Sequence, residues 1–164
     1  MKKLDENELL KCKFVADLFE YSTKEKDASS KLFIKAYMYS SIKKIISSKS
    51  FFLDSLDVPM AYEMIKKEKK LTRGNEIYPS YVMSWIGYIY EYFICATGIN
   101  GTYIYSKIKP EELYSLYEAY HSLDNDMVIQ RLAEAKKIST SLNDVNIYKN
   151  IKLSTNGINK RAHS

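Results

Sequence analysis

The chain has 164 residues, a length typical of a single domain that can bury one sizeable hydrophobic core. Apolar residues make up 46% of it and charged residues 27%, with five glycines and three prolines, which excludes disordered and fibrous proteins. The formal net charge is +5, but residues 1–138, with 21 basic and 19 acidic side chains, contribute only +2. A body so close to neutrality lacks the basic stripe of a dedicated nucleic-acid-binding surface.

The first half of the chain predicts three helices. The first starts with a capping box formed by Asp5 and Glu8 and ends in the polar run 23–27. The second starts at Ser29 or Ser30 and continues to residue 46. After an apolar connection over 51–53, Asp57 and Pro59 start the third helix. The apolar positions expected on the buried faces of these helices are Leu10, Phe14, Val15, Leu18, Phe19, Tyr21, Leu32, Phe33, Ala36, Tyr37, Ile42, Ile45, Ile46, Met60, Ala61, Met64 and Ile65.

The most apolar segment of the chain predicts a helix over residues 80–97. Pro79 opens this helix, and Gly98 is well placed to end it in a left-handed conformation. Apolar side chains surround almost its whole circumference, a pattern typical of the central helix of a bundle. We therefore expect Trp85, Ile89 and Phe93 to form part of the structural core.

Three shorter helices are predicted after this central one. A short helix over 102–107 precedes Pro110, which starts the next helix with acidic residues in its first turn. Asp124 caps the last helix, which buries Val128, Ile129 and Leu132. No segment shows convincing period-two alternation, although residues 103–105 would suit a short strand. The sequence thus predicts an all-α, compact single-domain bundle of six or seven helices over residues 1–138.

Residues 139–164 form a polar segment with a net charge of +3, contributed by Lys149, Lys152, Lys160 and Arg161 against Asp144. We expect a flexible C-terminal tail here, because the segment lacks a long periodic apolar pattern. A solvated extension and a functional arm that contacts a partner are the two interpretations.

Two features favour a soluble protein of the reducing cytoplasm. The cysteines, Cys12 and Cys95, are too few for a disulfide framework. The start MKKLDENELL is too acidic for a secretory signal, and the apolar stretch 81–96 is interrupted by polar residues, so no membrane span is expected.

The sequence offers no constellation typical of catalysis. No Cys/His cluster has metal-ligand spacing, and no GxxxxGK[ST] or GxGxxG run occurs. Glu111 and Glu112 are adjacent on a helix and therefore point apart. Cys95 lies in the most apolar helix, where a buried, inert thiol is expected. We expect a protein that is not an enzyme and that uses no cofactor and no metal.

Tyrosine is the most distinctive residue of the chain, with 15 copies against six phenylalanines and one tryptophan. One interpretation is AT-rich coding bias combined with core filling, since a tyrosine ring packs inside while its hydroxyl reaches the rim. The other is a contact surface, because tyrosine is enriched among the residues that dominate interface energetics.

The run SWIGYIYEY, residues 84–92, resembles the signature of a family of small bacterial antitoxins from low-GC Gram-positive bacteria. In that family Trp-[Ile/Val/Met]-Gly-Tyr-Ile-Tyr-x-Tyr is followed by Tyr-x-x-[Tyr/Phe]-His-[Thr/Ser]-[Leu/Met]-[Asp/Ser], then by an acid-capped helix. Here the second motif reads YEAYHSLD over residues 117–124. The resemblance covers residues 30–138 and is strongest over 84–135. The chain departs from the family in having Phe93-Ile94-Cys95 where a further tryptophan or aromatic–serine pair is frequent.

This resemblance implies an antitoxin of a toxin–antitoxin module that neutralises a cognate protein toxin by direct binding, without catalysis of its own. It further implies a toxin that resembles ADP-ribosyltransferases. Two alternatives stay open: a phage- or plasmid-borne protein that binds another host or defence protein, and a DNA-binding regulator that recognises its own operator. The helix after Asp124 carries only Arg131 and Lys136, a thin basic face for DNA.

Helical spacing indicates where a partner would bind. Tyr81, Tyr88 and Tyr92 share one face of the central helix, and Tyr117, Tyr120 and His121 lie on the helix that the short connection brings back against it. We predict a tyrosine-lined groove between these helices as the partner-binding surface. The rival interpretation is that the tyrosines fill the seam between two packed helices and that His121 serves as a cap.

Overall fold

The computed structural model describes residues 1–49, 55–72 and 74–140, and within these ranges the regular structure is helical, without a strand. The helices are α1 (Glu6–Glu25), α2 (Ser30–Met38), α3 (Ser41–Ser47), α4 (Val58–Lys69), α5 (Ser80–Thr97), α6 (Gly101–Lys107), α7 (Pro110–Tyr120) and α8 (Asn125–Ala135). The all-α prediction is confirmed, and residues 103–105 belong to α6. Residues 51–53 and 141–164, including nearly all of the expected tail, lie outside the described ranges.

Most helix ends follow the predicted capping residues. Asp5 and Glu8 form a reciprocal capping box, in which each carboxylate accepts a hydrogen bond from the backbone N–H of the other residue. The side chains of Ser29 and Asp57 accept bonds from backbone N–H groups in the first turns of α2 and α4. Gly98 ends α5 with φ 69°, a left-handed conformation that glycine adopts without strain.

The second predicted helix is wrong in one respect, because the structure divides it into α2 and α3 at Ser40. The Ser40 hydroxyl donates to the Tyr37 carbonyl at 2.7 Å and accepts from the Lys43 N–H at 3.1 Å. One buried side chain thus ends α2 and caps α3, which raises the helix count over the described residues to eight.

Five apolar side chains predicted to be buried are exposed: Leu10, Leu32, Ile45, Met60 and Met64. Leu10, Phe14 and Leu18 follow one another at steps of four residues, and each such step turns about 40° further around an α-helix. Leu10 therefore lies outside the face that buries Val15 and Phe19. In α4 Ala61 and Ile65 are buried as predicted, and the third buried residue is Tyr62 rather than either methionine. Its hydroxyl donates to the Asp27 carboxylate at 2.7 Å, which satisfies its polar end.

Helix α5 is the centre of the bundle and packs against α1, α6, α7 and α8. Its closest neighbour is α1: a Cβ added to Gly87 would lie 2.8 Å from both the Val15 carbonyl oxygen and the Phe19 ring. At the C-terminal end of α5 the Ala96 carbonyl accepts a hydrogen bond of 3.0 Å from the N–H of Lys2, which lies just before α1. The start of α1 therefore lies beside the end of α5, and the two helices run antiparallel. No helix in the described part of the chain combines the length and apolarity required to cross a membrane.

Replacing Gly87 with valine is expected to destabilise the fold. The helix propensities of glycine and valine differ by only a few tenths of a kcal/mol. The loss of stability therefore reports mainly the clash of the valine side chain with α1, which we expect to cost about 1–3 kcal/mol. Urea denaturation measures the loss, and Ser115→Val on the exposed side of α7 is the matched control. Equal stability of the two variants would contradict the close α1–α5 contact.

Candidate functional site

Four rings meet across the seam between α5 and α7, and we call them the aromatic strip: Tyr81, Trp85, Tyr117 and His121. The centroids of Tyr81 and Tyr117 are 5.4 Å apart. Trp85 meets Tyr117 edge to face at 5.6 Å, and Tyr117 stacks on His121 at 4.5 Å with 11° between the ring planes. Because Tyr117 contacts the other three rings, the strip is one continuous aromatic surface.

The strip lies at the surface while its inner side is held by the core. Tyr81 is 58% exposed and His121 is exposed, whereas Trp85 and Tyr117 are half-buried against the hydrophobic core. Trp85, predicted as a core residue, is only partly buried and packs against the core from its edge. Ile89 and Phe93, each 1% exposed, are core residues as predicted.

Helical geometry explains how these side chains come together. Tyr81 and Trp85 are one turn apart on α5, and Tyr117 and His121 are one turn apart on α7, so each pair shares a helix face. Pro110 starts α7 soon after α6 ends, and this short connection lays α7 along α5. The two faces then meet ring against ring.

His121 has a structural role at the end of α7, where it is the C-cap residue. Its Nδ1 lies 2.8 Å from the carbonyl oxygen of Tyr117. A carbonyl oxygen only accepts hydrogen bonds, so this contact requires the proton on Nδ1. The capping interpretation therefore holds, and the same ring also extends the aromatic strip.

Two further aromatic contacts involve tyrosines of α7. Tyr114, 43% exposed, lies 4.4 Å from Tyr78 between ring centroids, one turn before Tyr117. The guanidinium of Arg131, on α8, lies 5.7 Å from the ring centroid of Tyr120. Sequence reasoning placed neither Tyr114 nor Arg131 at the site, although the three-residue spacing of Tyr114 and Tyr117 pointed to the first. The second depends on tertiary packing alone.

Tyr88 and Tyr92 lie farther along α5, where their rings stack on each other at 6.2 Å. Tyr92 is buried, and its hydroxyl donates to the Asp126 carboxylate of α8 at 2.7 Å. Burial, and then this hydrogen bond to Asp126, raise the pKa of Tyr92 well above its ordinary value. The seam-filling interpretation therefore describes Tyr92.

A second notable arrangement lies inside the bundle, toward the C-terminal half of α5. The carboxylate of Glu91 and the ammonium of Lys43 form an ion pair at 3.5 Å, with side chains only 1% and 8% exposed. The Lys43 ammonium also bonds the Ser47 hydroxyl. Sequence reasoning missed this pair, although an acidic residue in the most apolar helix was the available signal.

Tyr37 and two thiols surround this ion pair. The buried Tyr37 hydroxyl has no hydrogen-bond partner among the described residues, and burial followed by the neighbouring Glu91 carboxylate raises its pKa. The Cys95 thiol contacts the Glu91 carboxylate at 3.8 Å. Cys12 is fully buried, and its hydrogen bond with Cys95, more than its burial, raises its pKa. We call Cys12, Tyr37, Lys43, Glu91 and Cys95 the buried polar cluster.

Neither arrangement forms a metal centre. Over residues 1–49, 55–72 and 74–140, no group of three or more His, Cys, Asp and Glu side chains has a geometry that would hold a metal ion. The aromatic strip offers ring faces, hydroxyls and one imidazole, which suit binding by contact.

Comparison of this chain with known protein families, curated proteins and solved structures finds no match. The resemblance to antitoxins therefore stays a prediction that rests on the two motifs.

Replacing Glu91 with glutamine is expected to cost about 3–5 kcal/mol, because it leaves the buried Lys43 ammonium without its carboxylate partner. The double variant Lys43→Met with Glu91→Leu should recover most of this loss, since it removes both charges and keeps an apolar volume. Thermal and denaturant unfolding measure both effects. A Glu91→Gln chain as stable as the parent would contradict the burial of this pair.

Proposed function

We propose that this chain is an antitoxin-like protein that neutralises a cognate protein toxin by direct binding, with the aromatic strip as its principal contact. The observation that carries the proposal is the meeting of the two motif segments. Trp85 comes from the first motif, Tyr117 and His121 come from the second, and their rings touch in the folded chain. Segments separated in sequence thus build one surface.

The physical properties of the strip suit a protein contact. Tyrosine and tryptophan provide large contact areas and have few rotatable bonds, so ordering them on binding carries a small entropic cost. Ring-on-ring packing already restrains Tyr117 from both sides before a partner arrives. With little net charge on residues 1–138, a few aromatic anchors rather than diffuse electrostatics supply the affinity.

The contacts of α8 favour a protein partner over operator DNA. The guanidinium of Arg131 lies over the Tyr120 ring, and the Lys136 ammonium forms an ion pair with Glu112 at 2.6 Å. Both cations that a recognition helix would turn toward phosphates are therefore engaged within the fold. The proposed partner is the product of the adjacent gene, a small toxin of the ADP-ribosyltransferase-like kind that the resemblance implies.

Alanine at Tyr81 and alanine at Tyr117 are each expected to weaken toxin binding by about 2 kcal/mol or more, roughly a 30-fold rise in Kd. Tyr81 is largely exposed, so its substitution should leave the melting temperature nearly unchanged. Calorimetry with the product of the adjacent gene measures Kd, and growth on co-expression measures neutralisation.

Tyr39→Ala is the matched control, because Tyr39 is 49% exposed and lies on the C-cap of α2, outside the strip. Its affinity should equal that of the parent chain. If the adjacent gene product is not bound, the antitoxin proposal fails. If it is bound equally by the parent, Tyr81→Ala and Tyr117→Ala chains, the strip is not the contact.

A further inference from the structure

A groove of about 290 Å³ lies between α2 and the turn that follows α4. Its apolar lining comes from Leu32, Ala36 and Tyr39 on α2 and its C-cap, and from Leu71 on the opposite side. Spacings of four and three residues place the first three on one face of the helix. Leu32 is 43% exposed and Tyr39 is 49% exposed, so this apolar face is open to solvent.

The end of α4 builds the other side of the groove. Lys70 ends this helix in a left-handed conformation, with φ 48°, and the Leu71 N–H donates to the Lys66 carbonyl at 3.4 Å. The turn lets Leu71 pack against the hydrophobic core, and Lys69 and Lys70 line the groove beside it.

The charge of the groove is positive, because three lysines and no acidic residue line it. Lys35 and Lys70 form no ion pair with any residue that the structure describes. The Lys69 ammonium lies 3.7 Å from the Glu68 carboxylate. That carboxylate is already engaged with α3, since it accepts hydrogen bonds from the N–H and the hydroxyl of Ser41. An apolar surface bordered by cations selects an occupant that is apolar and acidic.

We propose that this groove is a docking site for an acidic amphipathic helix of a partner protein, distinct from the partner that the aromatic strip contacts. The nine residues of α2 span about 13 Å, enough to support two turns of a docked helix. Apolar side chains one turn apart would pack on Leu32, Ala36 and Tyr39, and flanking carboxylates would meet Lys35 and Lys70. No residue of the groove belongs to the strip, so this proposal does not rest on the proposed function.

The lining favours a protein helix over other anionic partners. Single-stranded nucleic acid binds on successive exposed aromatic rings, whereas Leu32, Ala36 and Leu71 are aliphatic and Tyr39 is the one ring in the lining. Residues 139–164 of this chain carry a net charge of +3, the same sign as the groove, so charge disfavours them as its occupant.

The test titrates the full-length chain into a fluorescein-labelled synthetic helix and measures anisotropy. The probe has about 15 residues, with leucines at positions i, i+4 and i+7 and glutamates on both sides of them. We expect saturable binding that weakens as sodium chloride rises from about 50 to about 300 mM. A second peptide with glutamines in place of the glutamates should bind much more weakly.

Lys70→Glu and Leu32→Ser should each raise the Kd of the acidic peptide about tenfold or more. Lys137→Glu is the control for the first, because Lys137 is also exposed and follows α8 with a left-handed φ of 54°. Leu10→Ser is the control for the second, since Leu10 is 46% exposed on α1. Both controls should keep the parent Kd, and melting curves verify that all four variants fold.

Four results would overturn the proposal. The first is a parent chain that does not bind the acidic peptide, and the second is an equal Kd for the glutamine peptide. The third is an equal loss of affinity in the groove variants and their controls. The fourth is tighter binding of oligothymidylate or of phosphatidylserine vesicles, lost in Lys70→Glu, which would assign the groove to nucleic acid or to a membrane surface.

Discussion

The approach of α1 to α5 at Gly87 is the constraint on which the rest of the structure depends. Any side chain there would collide with the Val15 carbonyl and the Phe19 ring, so only glycine lets the two backbones come this close. The contact fixes the rotation of α5 about its own axis. With Gly87 turned toward α1, Glu91 turns toward the interior and pairs with Lys43, while Tyr81 and Trp85 turn toward α7. Both the buried polar cluster and the aromatic strip follow from one missing side chain.

The buried ion pair contributes more to the uniqueness of the packing than to its stability. Removing two charges from water costs several kcal/mol per ion, and their mutual attraction only offsets this when the geometry is good. At 3.5 Å, with the Tyr37 hydroxyl unpartnered beside it among the described residues, the Lys43–Glu91 pair is not an optimised one. Its effect is that any slip of α3 along α5 would separate two buried charges. An apolar pair would tolerate such a slip.

The helix ends could be predicted from the sequence, because a cap depends on residues within one turn of the helix end. Asp5, Asp57 and Gly98 illustrate this, and α5 has the bounds predicted for it. Ser40 was not predictable in the same way, since its hydroxyl ends one helix and caps the next inside an otherwise continuous apolar pattern. For the site, spacing predicted which rings share a face of one helix. It did not predict which rings meet across helices, nor that Tyr92 would find Asp126 on α8.

The separate positions of the two arrangements, the strip on the N-terminal half of α5 and the buried polar cluster on its C-terminal half, separate binding from stability. Side chains toward α1 and α3 are buried, so changes there act on folding, whereas Tyr81 projects outward from a helix whose inner faces are already filled. Such a surface keeps its shape when a single exposed ring is removed, because its neighbours are held by the core rather than by that ring. Tyr117 differs from Tyr81 in this respect, since it contacts three other rings and half of it is buried. A protein that recognises its partner through aromatic contact therefore benefits from a central helix that is apolar on all sides. Most of its faces pack into the core and stabilise the fold, and the remaining face carries the aromatic side chains of the binding surface.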